Sequence, residues 1–105
     1  MVRGEVFHLR DPRGARGHEQ RGARFAVIVQ ADDFLDLSTT LVAPTSTRAR
    51  PTTFRPTITL NGRTTRVIVE QTTVVDPQRL GPPAGSLDSS ELRAVDDALA
   101  LVLGL

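Results

Sequence analysis

The side chains best equipped for chemistry in this sequence are arginines and hydroxyls gathered in two stretches. Residues 10–24 (RDPRGARGHEQRGAR) hold five arginines, three glycines and one proline, and residues 44–56 (PTSTRARPTTFRP) hold three arginines and three prolines among serines and threonines. Guanidinium groups bind phosphodiester oxygens through charge and paired N–H donors, while hydroxyls fix position. The pattern therefore points to a polyanion, with nucleic acid as the natural ligand. All thirteen basic residues are arginine, which suits bidentate phosphate recognition, although a biased genome composition produces the same result. Single-stranded RNA adds an internal nucleophile, its 2′-hydroxyl. Cleavage then needs only proton transfers and stabilisation of a pentacovalent phosphate.

Other chemistries are poorly supplied. The chain has no cysteine, which removes thiol catalysis, zinc-thiolate sites and disulfides and makes an intracellular protein the default. His8 and His18 are the only histidines, and no carboxylate cluster completes a metal-ligand set with them, so no metal and no cofactor are expected. Without lysine there is no GxxxxGK[ST] phosphate loop, and Gly14-Ala15-Arg16-Gly17 lacks a strand-to-helix context. No nucleophile-elbow pattern supports a serine triad. Four phenylalanines and no Tyr or Trp leave base stacking a minor contributor, so recognition rests on charge and hydrogen bonds. The net charge of +1 is unevenly spread: up to Arg66 eleven arginines face six acids, and beyond it two arginines face six acids. Glu70 and Arg79 in that acidic part are candidates for a structural ion pair.

These side chains must be held by a small scaffold. At 105 residues the chain is one domain, residues 1–105, with room for a modest core. No apolar stretch approaches the roughly 20 residues that span a bilayer, and the charged start does not read as a signal peptide. Residues 4–9 read as a first strand. Residues 25–30 (FAVIVQ) are apolar throughout until the final glutamine, which predicts a central strand buried on both faces. Residues 31–38 allow one helical turn, and a strand over residues 39–43 should end at Pro44. Asn61-Gly62 lies between β-like runs at 57–60 and 64–71 and predicts a type I′ hairpin. Residues 72–75 form another short strand, and the Pro- and Gly-rich residues 76–85 read as a turn region. From Asp88 the period changes. Asp88 and Glu91 form a capping box, Leu87 and Leu92 are spaced for a hydrophobic staple, and Leu92, Val95, Leu99, Val102 and Leu103 share one helical face. Several short strands closed by one amphipathic helix predict a mainly β, α+β domain built on a strongly bent sheet or partly open barrel.

The opening RGEVF, the segment GHEQRGAR before VIVQAD, the VAPTS strand end, VIVEQ, the DPQRL turn and the LDSSELRAVDDAL helix stand in the order seen in MazF/PemK-like toxins, and the chain resembles that family over nearly its whole length. The resemblance implies an SH3-like, CcdB/MazF-type small barrel with a C-terminal amphipathic helix. It further implies a homodimer and a sequence-specific, metal-independent endoribonuclease (mRNA interferase) neutralised by a cognate antitoxin. In the family an arginine just before the second strand acts with a threonine at the end of the third, positions held here by Arg24 and Thr45. Arginine gives up its proton with difficulty, so charge stabilisation is the plainer role for Arg24, with an acid role left open. Thr45 would hydrogen-bond a nonbridging phosphate oxygen, with Ser46 beside it. Glu19 and Gln20 match the family's EQ, His18 is a candidate proton carrier from the PemK branch, and Arg21 and Arg48 complete the expected RNA contacts. Three positions depart from the family: Phe25 replaces a frequent proline, Glu70 a common aspartate, and Ile68 the catalytic arginine of the PemK type.

The reaction implied is attack of the 2′-hydroxyl on its own phosphate, giving 2′,3′-cyclic phosphate and 5′-hydroxyl ends. Partners would be single-stranded mRNA and the antitoxin, in the cytoplasm and without a membrane. Two other readings fit the same residues: a CcdB-like toxin that binds a protein target such as gyrase, and a nucleic-acid-binding module that breaks no bond.

Overall fold

Four consecutive apolar side chains cannot alternate between core and water, and the run beginning at Phe25 accordingly sits in the middle of a sheet. A computed structural model describes residues 1–10 and 24–105 of the chain. Among these are strands β1 (Glu5–Leu9), β2 (Phe25–Ile28), β3 (Thr40–Ser46), β4 (Thr57–Leu60), β5 (Arg63–Val67), β6 (Thr73–Val75) and β7 (Leu80–Ser86), followed by helix α1 (Ser89–Leu103). They make one antiparallel sheet in the order β4-β5-β3-β2-β1-β7, with β6 also on β3. β2 is buried on both faces as its sequence predicts. Val27 joins Val6, Ala43, Ile58, Val67, Val69, Val95 and Ala98 under the helix. Ala26 and Ile28 point the other way, into a smaller cluster with Val42, Val75 and Leu80. The period of two along one strand thus feeds two cores.

The hairpin between β4 and β5 turns at Asn61 (φ 54°) and Gly62 (φ 77°), the two positive values a type I′ turn requires. A short 3-10 turn, Asp32–Phe34, supplies the helical turn expected after β2. Asp88 caps α1: its carboxylate accepts from the Glu91 N–H at 2.8 Å, and Glu91 accepts from the Asp88 N–H at 3.0 Å. The second Glu91 oxygen accepts from Thr59 N–H at 2.8 Å, so one side chain closes the helix end and satisfies a donor on edge strand β4. Leu87 packs on the main core and Leu92 against Gly4.

Four expectations need correction. Pro44 does not end its strand, because it lies where β3 exchanges neighbours. Ala26↔Pro44 is the last pair with β2, Thr45↔Val67 the first with β5, and the Pro44 carbonyl accepts from Ile68 N–H at 2.8 Å. The strand expected through residue 71 stops at Val67. Val67, Ile68 and Val69 are buried in succession, Ile68 N–H donates to the Pro44 carbonyl, and the chain bends into a 3-10 turn, Val69–Gln71. The expected turn region contains β7, an edge strand whose irregular register with β1 accommodates Pro82, Pro83 and Gly85. Gly81 there is closely approached, since a Cβ would stand 3.1 Å from that of His8 and His8 would have to give by a few tenths of an ångström. Finally, burial on α1 ends at Leu99, and Val102 and Leu103 are exposed (39% and 63%) because the last turn runs beyond the core. Among the described residues no helix is long and apolar enough to cross a membrane.

Glu91→Ala removes acceptors for two backbone N–H groups at once. It is expected to cost about 1–2 kcal/mol and lower the midpoint of thermal unfolding by roughly 5–10 °C, read by circular dichroism.

Candidate active site

The neighbour exchange along β3 also opens a groove. Where β3 leaves β2 and takes up β5, its final residues Thr45 and Ser46 stand beside the start of β2. An open depression of about 300 Å³ follows, lined by Arg24, Phe25, Pro44, Thr45, Ser46, Arg48, Ala49, Arg55, Ile68 and Gln71. Arg24 and Thr45, separated by twenty residues in sequence, therefore share one site, and Ser46 and Arg48 share it with them. His18, Glu19, Gln20 and Arg21 lie outside the described residues.

Each wall has an identifiable support. The Arg24 carbonyl accepts from Leu9 N–H at 2.9 Å, extending the β1–β2 ladder to that residue. Phe25 pairs in register with His8, the two rings 4.8 Å apart and tilted by 48°. At the far end of β1, Arg10 donates through Nη1 to the carbonyls of Gln78 (2.8 Å) and Leu80 (3.0 Å), and Arg79 Nε donates back to the Arg10 carbonyl at 3.1 Å. These bonds fix the strand end at which the first basic stretch begins. Arg79 is thus a backbone clamp and not the partner of Glu70.

The segment between β3 and β4 is pinned at three points. Ser46 Oγ accepts from Arg48 N–H at 3.1 Å, which turns the chain just past Thr45. Arg66 Nη1 donates to the Ala49 carbonyl at 3.2 Å. Arg55 is held by Glu70, its Nε at 2.8 Å and its Nη2 at 2.5 Å from Oε2. The Arg55 hydrogen bonds hold the Glu70 carboxyl below its ordinary pKa. Arg24, Arg48 and Arg55 therefore line the groove, and the Glu70 carboxylate is bound to Arg55. Such a surface suits an anion with more than one charged group, and the hydroxyls of Thr45 and Ser46 add neutral polar groups. Among the described residues no three His, Cys, Asp or Glu side chains gather as a metal-holding group.

Arg55 and Gln71 are site residues that sequence reasoning passed over. Their signal was weak, since Arg55 is one of three arginines in its stretch and Gln71 was placed in a strand. Both reach the groove only because the chain turns after Val67 and the loop folds back onto that turn.

The family model described as PemK-like, MazF-like toxin of type II toxin-antitoxin system matches residues 2–103. Rv3098A of Mycobacterium tuberculosis, provisionally named as a toxin, is 37% identical over 106 residues, spanning 100% of this chain and 99% of its own length. An endoribonuclease from a mycobacterial species, solved in complex with its cognate antitoxin, superposes with a TM-score of 0.82 at 20% identity, over 100% of this chain and 96% of that one. MazF from Deinococcus radiodurans superposes with a TM-score of 0.78 at 21% identity, over 100% and 97%. At these identities the superpositions speak for the fold, a small α+β barrel with a C-terminal helix, as the sequence implied.

The lowered pKa of Glu70 has a consequence for stability. A depressed carboxylate stabilises the fold above its unfolded pKa and loses that contribution as pH falls through the folded value. Wild type should exceed Glu70→Gln by about 0.5–1 kcal/mol near neutrality in urea unfolding, the usual worth of a partly exposed pair, and the gap should close once the pH is well below the ordinary glutamate range.

Proposed function

The chain belongs to the PemK-like, MazF-like toxins of type II toxin–antitoxin systems, and on that premise we propose that it is a metal-independent, sequence-specific endoribonuclease acting on single-stranded RNA. The observation that carries this reading is the convergence of Arg24 and Thr45 in one arginine-lined groove. The fold likeness to proteins described as endoribonucleases supports it.

In the proposed reaction the substrate's 2′-oxygen attacks the adjacent phosphorus and the P–O5′ bond breaks. The 2′-hydroxyl proton leaves and the departing 5′-oxygen gains one, giving a 2′,3′-cyclic phosphate and a 5′-hydroxyl end. Charge grows on the nonbridging oxygens as the phosphorane forms. In this reading the Arg24 guanidinium meets that charge, and the Thr45 hydroxyl donates to one of the oxygens. Ser46 shapes the turn and, with Arg48, contacts the strand. His18, Glu19, Gln20 and Arg21 belong to the same proposal as RNA contacts from the first basic stretch.

The partners proposed are an RNA strand, a second copy of the chain, and a cognate antitoxin whose acidic segment occupies the basic groove, in the cytoplasm. The antitoxin complex of the mycobacterial relative supports that partner class. Charge complementarity supports it too, since the groove is lined by arginines.

Incubation of the purified chain in excess EDTA with a long single-stranded RNA and the matching DNA, with mapping of cut sites and ends, tests the reading. Cleavage of RNA alone at a short recurring sequence with cyclic-phosphate ends is the expected result. Arg24→Ala should lower kcat/KM by about 10²–10³-fold while leaving much of the RNA binding, and Thr45→Val should lower it by about 10-fold or more. RNA binding without cleavage by folded wild type would instead identify a binding module, and neither activity would point to a protein target.

A further inference from the structure

Arg55 differs from an ordinary surface arginine in how completely it is fixed. Its Nε and Nη2 both donate to Glu70 Oε2, its Nη1 donates to the Arg50 carbonyl at 3.4 Å, and its guanidinium carbon lies 5.4 Å from the Phe54 ring centroid. The side chains of Arg55 and Glu70 are only 24% and 26% exposed. A guanidinium has five N–H donors, and these three bonds leave two unused on a residue that lines the groove. The rotational freedom an arginine normally loses on binding has already been lost here, so an arriving anion meets a side chain already held in place.

The partner of Arg55 also limits what it can do. A carboxylate on the same guanidinium offsets most of its charge. Such a group is ill suited to stabilise charge that appears only in the transition state, and well suited to hold an anion present throughout the reaction. We propose that Arg55 is a substrate-binding residue for a phosphodiester of the RNA strand other than the one cut, and that Glu70 is its positioning residue. This rests on the endoribonuclease reading above. A tie that merely fastens residues 47–56 to the turn at Val69–Gln71 is the competing account, and the two differ in what the variants change.

The experiment compares wild type, Arg55→Gln, Glu70→Ala and the double variant on an RNA oligonucleotide carrying one mapped site. Binding of the same oligonucleotide with 2′-O-methyl groups, which cannot be cut, is followed across a salt series. Arg55→Gln should raise KM about tenfold with kcat within about twofold. It should also flatten the slope of log binding constant against log salt, by at most about 0.7, the amount for one single-strand phosphate contact with a fully charged cation. Glu70→Ala should raise KM by about threefold, and adding it to Arg55→Gln should change nothing further, because it acts through Arg55. Unchanged KM and salt slope in Arg55→Gln overturns the proposal, as do additive losses in the double variant or a lower KM in Glu70→Ala. Circular dichroism reports folding, and if Arg55→Gln fails to fold, Arg55→Lys carries the test: a retained salt slope with a raised KM supports the proposal, and wild-type KM overturns it. A wild type that neither cuts nor binds RNA overturns the endoribonuclease reading and this inference with it. A wild type that cuts, beside an unaltered Arg55→Gln, overturns this inference alone.

Discussion

The molecule depends on one strand that has different neighbours at its two ends. β3 pairs with β2 on one edge through Ala26↔Pro44, and on the other edge first with β6 and then with β5. β5 and β6 lie along the same side of β3 as two halves of an interrupted strand, and the interruption is the turn at Val69–Gln71. Pro44 stands at the changeover, where a residue without an N–H donor is tolerated. Had β2 run on beside β3 to Ser46, the space beside Thr45 would be filled by backbone. The end of β3 keeps β5 on one edge through Thr45↔Val67 and Ser46↔Arg66, while its ladder with β2 ends at Ala26↔Pro44, and the groove lies beyond that last pair.

The interruption follows from the core. Val67, Ile68 and Val69 are each at most 5% exposed, and the chain leaves the regular pleat at this point for the 3-10 turn Val69–Gln71. α1 lies over this turn through Val95 and Ala98, and Val69 joins the same cluster. Packing that stabilises the helix therefore also brings Glu70 and Gln71 round to the groove side. The capping box at Asp88 and Glu91, tied to β4 through Thr59, fixes where that helix begins.

Several arginines act on the backbone before any ligand arrives. Arg10 and Arg79 hold each other's strand ends, Arg66 holds the Ala49 carbonyl, and Arg3 donates to the Val29 carbonyl at 2.8 Å and pairs with Asp96 at 2.6 Å. Among the described residues, some arginines thus fasten the scaffold and others line the groove. That division explains how a site rich in like charges is held on a small core: the groove is open to solvent, where water screens the repulsion.

By itself the sequence determined the features that local periodicity encodes. The two-faced strand β2, the hairpin at Asn61-Gly62, the capped helix and the family were legible because each rests on neighbours in sequence or on motifs in a fixed order. The tertiary structure decided what depends on partners distant in sequence. It carried β3 through Pro44, turned Gly- and Pro-rich residues into edge strand β7, bent the chain after Val67, and left Val102 and Leu103 outside the core. It also gave Glu70 to Arg55 in place of Arg79, fifteen residues away across a fold-back that neither stretch specifies alone. Propensity and period describe a residue's nearest neighbours along the chain, whereas an ion pair or a shared groove is set by which strands meet, and that is settled only when the whole core packs.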